Sequence, residues 1–146
     1  MISLIIPGAP IGKGRPKFAR AGAFVRVYTP DKTRLEEAFI RMVFNEKYPG
    51  HVPIPGAIRM DIRAYMPIPK STSKKLRERM ALENVPHVKK PDRSNITKLA
   101  EDALNEMAYI DDCQIYAGDT WKYYSPRPRL EIDIFEENEY TAVKVP

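Results

Sequence analysis

Ile96, Leu99, Ala100, Ala103, Leu104 and Met107 recur at a spacing that places all six on one side of an α-helix, and this stripe constrains the chain more than any other feature. A helix with one apolar face has to cover something. The segments available to it have a period of two: Ile58, Met60, Ile62, Ala64 and Met66 alternate with Arg59, Asp61 and Arg63, and Leu130, Ile132 and Ile134 alternate in the same way. One-faced strands and a one-faced helix predict an α+β domain, a small mixed or antiparallel sheet of three or more strands flanked by helices near 31–48 and 94–107.

The remaining elements follow from local signals. Residues 2–6 read as a buried strand ended by Pro7-Gly8-Ala9-Pro10, a loop follows, and Phe24 to Tyr28 adds a short extended piece. A helix is expected over 31–48, capped by Thr29 or Asp31, with Leu35, Phe39, Met42 and Val43 as its core face and Tyr48-Pro49-Gly50 as its end. Residues 57–66 should form a half-buried strand, and Lys74 to Leu82 a charged helix with few apolar anchors that serves as a mobile flap. Gln114 to Tyr124 and Arg129 to Phe135 read as two strands paired in a hairpin through Ser125-Pro-Arg-Pro128. At 146 residues, with no repeat or linker, the chain is expected to be one domain spanning 1–146.

Cysteine and histidine counts remove several chemistries. Cys113 stands alone, so an intramolecular disulfide and a thiolate-rich zinc site are excluded, and His51 and His87 give little material for imidazole metal sites or a Ser-His-Asp triad. Chemistry in this chain falls to carboxylates. The net charge of +5 favours an anionic partner such as a phosphate backbone. No apolar run approaches the roughly 20 residues of a membrane span, and the opening Met-Ile-Ser-Leu-Ile-Ile-Pro lacks the basic start of a signal peptide, so a cytoplasmic protein is expected.

The carboxylates gather around the striped helix. On its polar side Asn95, Lys98, Asp102 and Glu106 share one sector, Lys98 and Asp102 form an i,i+4 pair, and Asp92 precedes the first turn, where the helix dipole favours an anion. The bland reading is a solvated face with Asp92 or Ser94 as N-cap. Against it stands a second acidic pair, Asp111-Asp112, leading into a strand. On an extended chain the two side chains point apart, so Asp112 is expected to face the helix start and Asp111 to support it or face solvent. The helix rises about 20 Å and the return spans at most about 17 Å, so the chain must double straight back. Asp92 and Asp112 are sufficient for a weak site for a hard divalent ion, which can activate water and neutralise charge on a phosphodiester. Lys98 is placed to stabilise charge developing at phosphorus, and Asp102 to orient Lys98.

Two basic segments border this cluster. In Pro7 to Arg20, Lys13, Arg15, Lys17 and Arg20 are candidate phosphate contacts, Phe18 a candidate to stack on a base, and the glycines permit close backbone approach; the competing reading is an exposed basic loop. Gly12-x-Gly14 is not a nucleotide-binding fingerprint, since the third glycine and the following helix are missing. Lys89, Lys90 and Arg93 flank the acids and are candidates to hold a substrate backbone. Lys70, Lys74, Lys75, Arg77 and Arg79 read as a solvated helix face.

In order along the chain, Pro10-Ile-Gly-Lys-Gly-Arg-Pro-Lys17, Tyr28-Thr-Pro30, Lys90-Pro-Asp92, Asn95, Lys98, Asp102-Ala-Leu-Asn105 and Asp111-Asp-Cys-Gln-Ile115 resemble the RusA-like Holliday junction resolvases, often encoded by bacteriophages and prophages. The likeness covers most of the chain. It implies a homodimeric, Mg²⁺-dependent endonuclease, with Mn²⁺ as an alternative ion, that makes paired nicks in opposing strands of a four-way DNA junction. By the same likeness Asp92 and Asp112 match metal-binding aspartates, Asp111 their acidic neighbour, and Lys98 the catalytic lysine, with Asn95 and Asp102 in support. One position departs from the pattern: Ser94 stands where the family often carries a third essential acid. A hydroxyl there caps the helix or holds a water but adds no negative charge. A natural subgroup that manages with the remaining acids, a protein that binds junctions without cutting them, and an introduced substitution are the three explanations. An endonuclease and a non-cleaving junction-binding protein are therefore the two functional readings, with a basic scaffold lacking junction preference as a third.

Overall fold

Strand β1 (Ile2–Pro7) buries Ile2, Leu4 and Ile6 and exposes Ile5, the alternation of a strand covered on one side. The computed structural model, which describes residues 1–15, 17–28 and 30–137, continues with β2 (Lys17–Ala21), β3 (Phe24–Tyr28) and α1 (Asp31–Lys47). Then come β4 (Ile58–Pro67), α2 (Lys74–Met80) and α3 (Arg93–Leu104). A 3₁₀ turn (Asp112–Gln114), β5 (Ile115–Ala117), β6 (Thr120–Ser125) and β7 (Arg129–Glu136) complete the chain. The expected α+β class and mixed sheet are what forms.

β7 is antiparallel to both β1 and β4, whereas β5 and β6 run parallel to β4 along its other edge. The order β1-β7-β4-β5, with β6 also on β4, makes a five-stranded sheet. One expectation fails here: β6 and β7 do not pair as a hairpin, because β4 lies between them. The parallel β4–β6 pairing is made possible by the long crossover through α2 and α3. Ser125 to Pro128 then has to carry the chain across β4, about two strand spacings or 10 Å, and its two prolines supply no N–H for a paired turn. The expected strand from Gln114 is also broken, into the 3₁₀ turn, β5 and β6, with Gly118-Asp119 between the last two.

α1 and α3 cover one side of the sheet. Ile58, Met60, Ile62, Ala64 and Met66 of β4 and Leu130, Ile132 and Ile134 of β7 meet Ile96, Leu99, Ala100, Ala103 and Leu104 of α3 and Ile40 and Phe44 of α1. The stripe of α3 is thus buried as expected, but the helix ends at Leu104: Asn105 is extended and Glu106 has φ 66°, so Glu106 leaves the sector shared by Asn95, Lys98 and Asp102. Each buried Leu or Ile contributes about 1.5–3 kcal/mol, against about 1 kcal/mol for an N-cap bond. Packing therefore holds α3 in place, and its N-cap carboxylate is not needed for that purpose.

α1 is rotated relative to expectation. Its buried positions are Thr33, Glu37, Ile40 and Phe44, Phe39 and Val43 pack at the margin, and Leu35 (70% exposed) and Met42 (49%) face outward. Asp31 is its first residue and pairs with Arg34 rather than capping it; Thr29 lies outside the described residues. The opposite face of the sheet is closed by charge. Arg63 bridges Glu131 (2.9 Å) and Asp133 (2.8 Å), and Arg129 joins Glu131 (2.8 Å) to Glu83 (2.9 Å) while its guanidinium stacks on Tyr65. α2 is fastened rather than a free flap. Ser73 caps it, Arg77 donates to the carbonyls of Pro69 and Lys70, and Met80 is in the core.

β2 and β3 were expected as a loop and one extended piece; they pair with each other in register from Lys17↔Tyr28 to Ala21↔Phe24. They form a two-stranded sheet separate from the main one, turning at Gly22. Phe18 and Val27 face each other across this hairpin, and Phe18, Val25 and Val27 are all exposed.

Candidate active site

The site is organised by three pieces of chain: the loop between β1 and β2, the polar face of α3, and the return through Asp111 and Asp112. Gly12 lies against α3 so closely that a Cβ there would meet Asn95 Cβ at 2.9 Å and Pro91 Cβ at 3.0 Å. A Cβ at Gly14 would meet Thr33 Oγ1 of α1 at 2.8 Å. Backbone bonds from Lys13 N to Asn95 O and from Gly14 N to Thr33 Oγ1, each 2.9 Å, fix the loop. The glycines thus serve close packing of the loop on two helices. Pro10 to Arg15, Lys32, Lys90, Asp92 and Asn95 then line an open cavity of about 650 Å³.

Asp92 is the N-cap residue by backbone position, with its carbonyl accepting from Asn95 and Ile96, but its side chain makes no cap hydrogen bond. Its carboxylate is exposed. The charge it acts on is that of Lys122, whose pKa is lowered by burial against the opposing pull of Asp92. Lys122 itself donates to the carbonyl of Lys89. Ser94 is exposed and does not cap the helix.

A second cavity, about 340 Å³, lies along the same helix and is lined by Arg93, Ser94, Thr97, Lys98, Glu101, Gly118, Asp119 and Thr120. Lys98 is 56% exposed there and held 3.2 Å from Asp102 Oδ1, the i,i+4 pair expected from sequence. Asp102 also accepts from Lys13 at 2.9 Å, and Lys13 reaches Glu37 at 2.7 Å. Burial pushes the Asp102 carboxyl up, but the two lysine ammonium groups outweigh it and hold it below the ordinary value.

The return after α3 does double back, but it ends against the third turn. Asp111 accepts from Cys113 N (3.4 Å) and closes a capping box with Gln114, and this turn depresses its pKa through the hydrogen bonds to Cys113. Asp112 opens the 3₁₀ turn. Burial raises the Glu101 carboxyl, with the charges of Asp112 and Asp102 adding to it and Lys98 opposing. Buried Tyr109, whose hydroxyl donates to the Glu101 carbonyl, is pushed up by burial and by the same acids. Glu101 lies nine residues beyond Asp92, about 13 Å along the axis, so Asp112 acts on the last turn of α3.

Glu101 and Asp119 were missed in the sequence. Glu101 is seven residues from Ser94, two turns on and on the same face, a spacing that was available as a signal. Asp119 is brought in by the parallel strand pairing, through Ile62 N to Asp119 O (2.9 Å) and Asp119 N to Asp61 Oδ1 (3.2 Å), which no local pattern announces. Among the described residues no group of three His, Cys, Asp or Glu side chains is arranged to hold a metal ion. The donors present are carboxylate and hydroxyl oxygens, hard ligands that suit Mg²⁺ or Mn²⁺ in a site completed by water.

Arg15, Phe18, Arg20, Lys89, Lys90 and Arg93 are exposed; Phe18 and Arg20 stand on the hairpin, and the side chain of Lys17 lies outside what is described. No helix among the described residues is long and apolar enough to cross a membrane. Residues 7–135 match the family described as Endodeoxyribonuclease RusA. The chain is also 33% identical over 137 residues to the uncharacterized protein YqaN of Bacillus subtilis (strain 168), covering 92% of this chain and 96% of that one. With a match over most of its length and the ordered loop, helix and acidic return in place, the chain belongs to the RusA endodeoxyribonuclease family.

Proposed function

We propose that this chain is a divalent-metal-dependent endonuclease that resolves four-way DNA junctions by paired, symmetric nicks in opposing strands, in recombination, repair or phage DNA processing. The observation that carries the reading is the free carboxylate of Asp92 at the head of α3, on the helix whose polar face also presents Lys98 and Glu101. Asp92 at the head of α3 and Asp112 beside its third turn are the carboxylates that would hold Mg²⁺ or Mn²⁺, with water completing the shell, Asp111 adjacent to Asp112, and Glu101 a further carboxylate beside it. The ion supplies water activation and charge neutralisation at the phosphodiester. Lys98 donates an N–H to a phosphate oxygen as negative charge develops, and Asp102 keeps that ammonium directed into the cavity. The attacking water oxygen bonds to phosphorus as one bridging P–O bond breaks.

Residues 14–30 contain Arg15, Lys17, Arg20 and Arg26 and no acid, which supports the hairpin and its root as the DNA-binding arm, with Phe18 available to stack on an unpaired base. Lys89, Lys90 and Arg93 extend that basic surface past Asp92. A homodimer, one site for each nicked strand, is supported by the outward apolar side chains of Leu35 and Met42 on α1.

Ser94, a hydroxyl two residues after Asp92 where an acid would add negative charge, favours one alternative, a junction-binding protein that does not cut. A labelled synthetic junction and the matching linear duplex, each titrated with protein at one salt concentration, separate the readings. Junction-selective binding with Mg²⁺-dependent nicks supports the enzyme. Equal affinity for both DNAs contradicts it, and binding that becomes nicking only with Ser94→Asp supports the alternative.

A further inference from the structure

Lys13 sits in the most basic segment of the chain, yet its charge is already spent. Its ammonium lies 2.7 Å from Glu37 Oε1 and 2.9 Å from Asp102 Oδ2, with its side chain 24% exposed. The second oxygen of Asp102 is 3.2 Å from Lys98 Nζ. Glu37 is shared in turn with Arg41 (3.4 Å), whose Nε donates to Ala103 O of α3 at 3.0 Å. Two carboxylates therefore face Lys13, and its ammonium is engaged within the fold rather than presented to a phosphate. Burial acts to lower the Lys13 pKa, but the bonds to Glu37 and Asp102 prevail and keep it protonated.

We propose that Lys13 is a positioning residue for Lys98, acting through Asp102, rather than a DNA contact. By occupying Oδ2 it leaves Asp102 only Oδ1 with which to hold Lys98. The Lys98 ammonium is then oriented toward the cavity it shares with Ser94 and Glu101 without being neutralised by a whole carboxylate. The backbone supports this task. Lys13 N to Asn95 O and Gly14 N to Thr33 Oγ1 lock the loop to both helices, and the tight contacts at Gly12 and Gly14 leave little slack. Arg15 and the hairpin follow directly, so the segment that orients Lys98 and the segment offered to DNA are one stretch of chain.

The proposal rests on the reading that Lys98 serves phosphodiester cleavage, and three measurements on the full chain test the two separately. With Lys13→Met, Lys13→Arg and Arg15→Ala, we would measure junction affinity against salt, the single-turnover nicking rate, and the side-chain ¹⁵N resonance of Lys98. The expected result for Lys13→Met is an unchanged salt slope, a nicking rate about 10- to 100-fold lower, the scale of a misplaced catalytic group, and a shifted Lys98 resonance. Lys13→Arg should restore much of the rate. A phosphate contact would instead lower the salt slope by about 0.9, as expected for Arg15→Ala. A lowered slope with an unmoved Lys98 resonance overturns the proposal. If the Lys98 resonance shifts but even the unmodified chain never nicks, the endonuclease reading fails while the positioning role stands. Should Lys13→Met not fold, Lys13→Gln keeps a hydrogen bond without the charge and carries the same readouts.

Discussion

Gly118→Ala should be among the most damaging single-methyl changes available to this chain, and its cost can be worked from the contacts. Gly118 joins β5 to β6 at φ +140°, and a Cβ placed there would lie 1.8 Å from the carbonyl oxygen of Met60 and 2.7 Å from its carbon. Ordinary van der Waals contact begins near 3.4 Å. The obstacle is backbone of the central strand, so no rotamer change relieves it. The φ alone costs about 1–3 kcal/mol for a residue with a side chain. Moving the segment away would also weaken two hydrogen bonds: Ile62 N to Asp119 O, worth about 1 kcal/mol, and the Asp119 N bond to the Asp61 carboxylate, worth about 1.5–3 kcal/mol. The sum is roughly 4–7 kcal/mol, a large share of a typical 5–15 kcal/mol stability. Gly8→Ala is the control, because Gly8 has φ +103° with nothing within 4 Å of its Cβ position and so isolates the conformational part. Urea unfolding followed by circular dichroism should rank Gly118→Ala at least about 2 kcal/mol below Gly8→Ala. Equal midpoints for the two variants would refute the close approach of Gly118 to β4, and with it the parallel β4–β6 register that brings Asp119 into the site.

Three further outcomes follow from the site. Asp92→Asn should abolish metal-dependent nicking while leaving the unfolding midpoint within about 0.5 kcal/mol of the parent, since its side chain makes no cap bond, whereas Asp111→Ala should lower it by about 0.5–2 kcal/mol through loss of its cap; thermal melts and junction assays read both. Glu101→Gln should raise the melting temperature of the metal-free protein, because burial and the charges of Asp112 and Asp102 disfavour its ionised form, and should weaken the protection against heat that Mn²⁺ confers. His87 has a folded pKa below its ordinary 6.5, from burial and the charges of Lys122 and Lys89, so its contribution is complete above pH 6.5 and is lost as pH falls toward the folded value; melting temperature should drop across that window, and His87→Phe should flatten the drop.

The parts of this protein that could be read directly are those whose signal is local and one-sided. The α3 stripe and the even positions of β4 are buried as their periods require. α1 was phased wrongly because Thr33 and Glu37, polar in any pattern, are buried against the loop by Gly14 N and Lys13, while the apolar Leu35 and Met42 are left outside. The supposed hairpin of β6 and β7 failed for a related reason: strand partners are chosen by the whole sheet, and each strand found β4 first. In the site, the Lys98–Asp102 pair was legible from helical geometry. Lys13 was not, because its partners are contributed by residues 24 and 89 positions away in sequence, Glu37 and Asp102. Glu101 looked like one more solvated acid until the return through Asp112 gave it a like-charged neighbour.

The central claim is that carboxylates at α3 direct hydrolysis of branched DNA, and one measurement addresses it most directly. A four-way junction labelled on each strand in turn is incubated with the chain and with Asp92→Asn, in Mg²⁺ and in chelator. The account predicts symmetric nicks in two opposing strands for the unmodified chain in Mg²⁺, and none in chelator or with Asp92→Asn despite retained binding. Nicking that persists in chelator or in Asp92→Asn, or tight binding with no nick at any Mg²⁺ concentration, would contradict it.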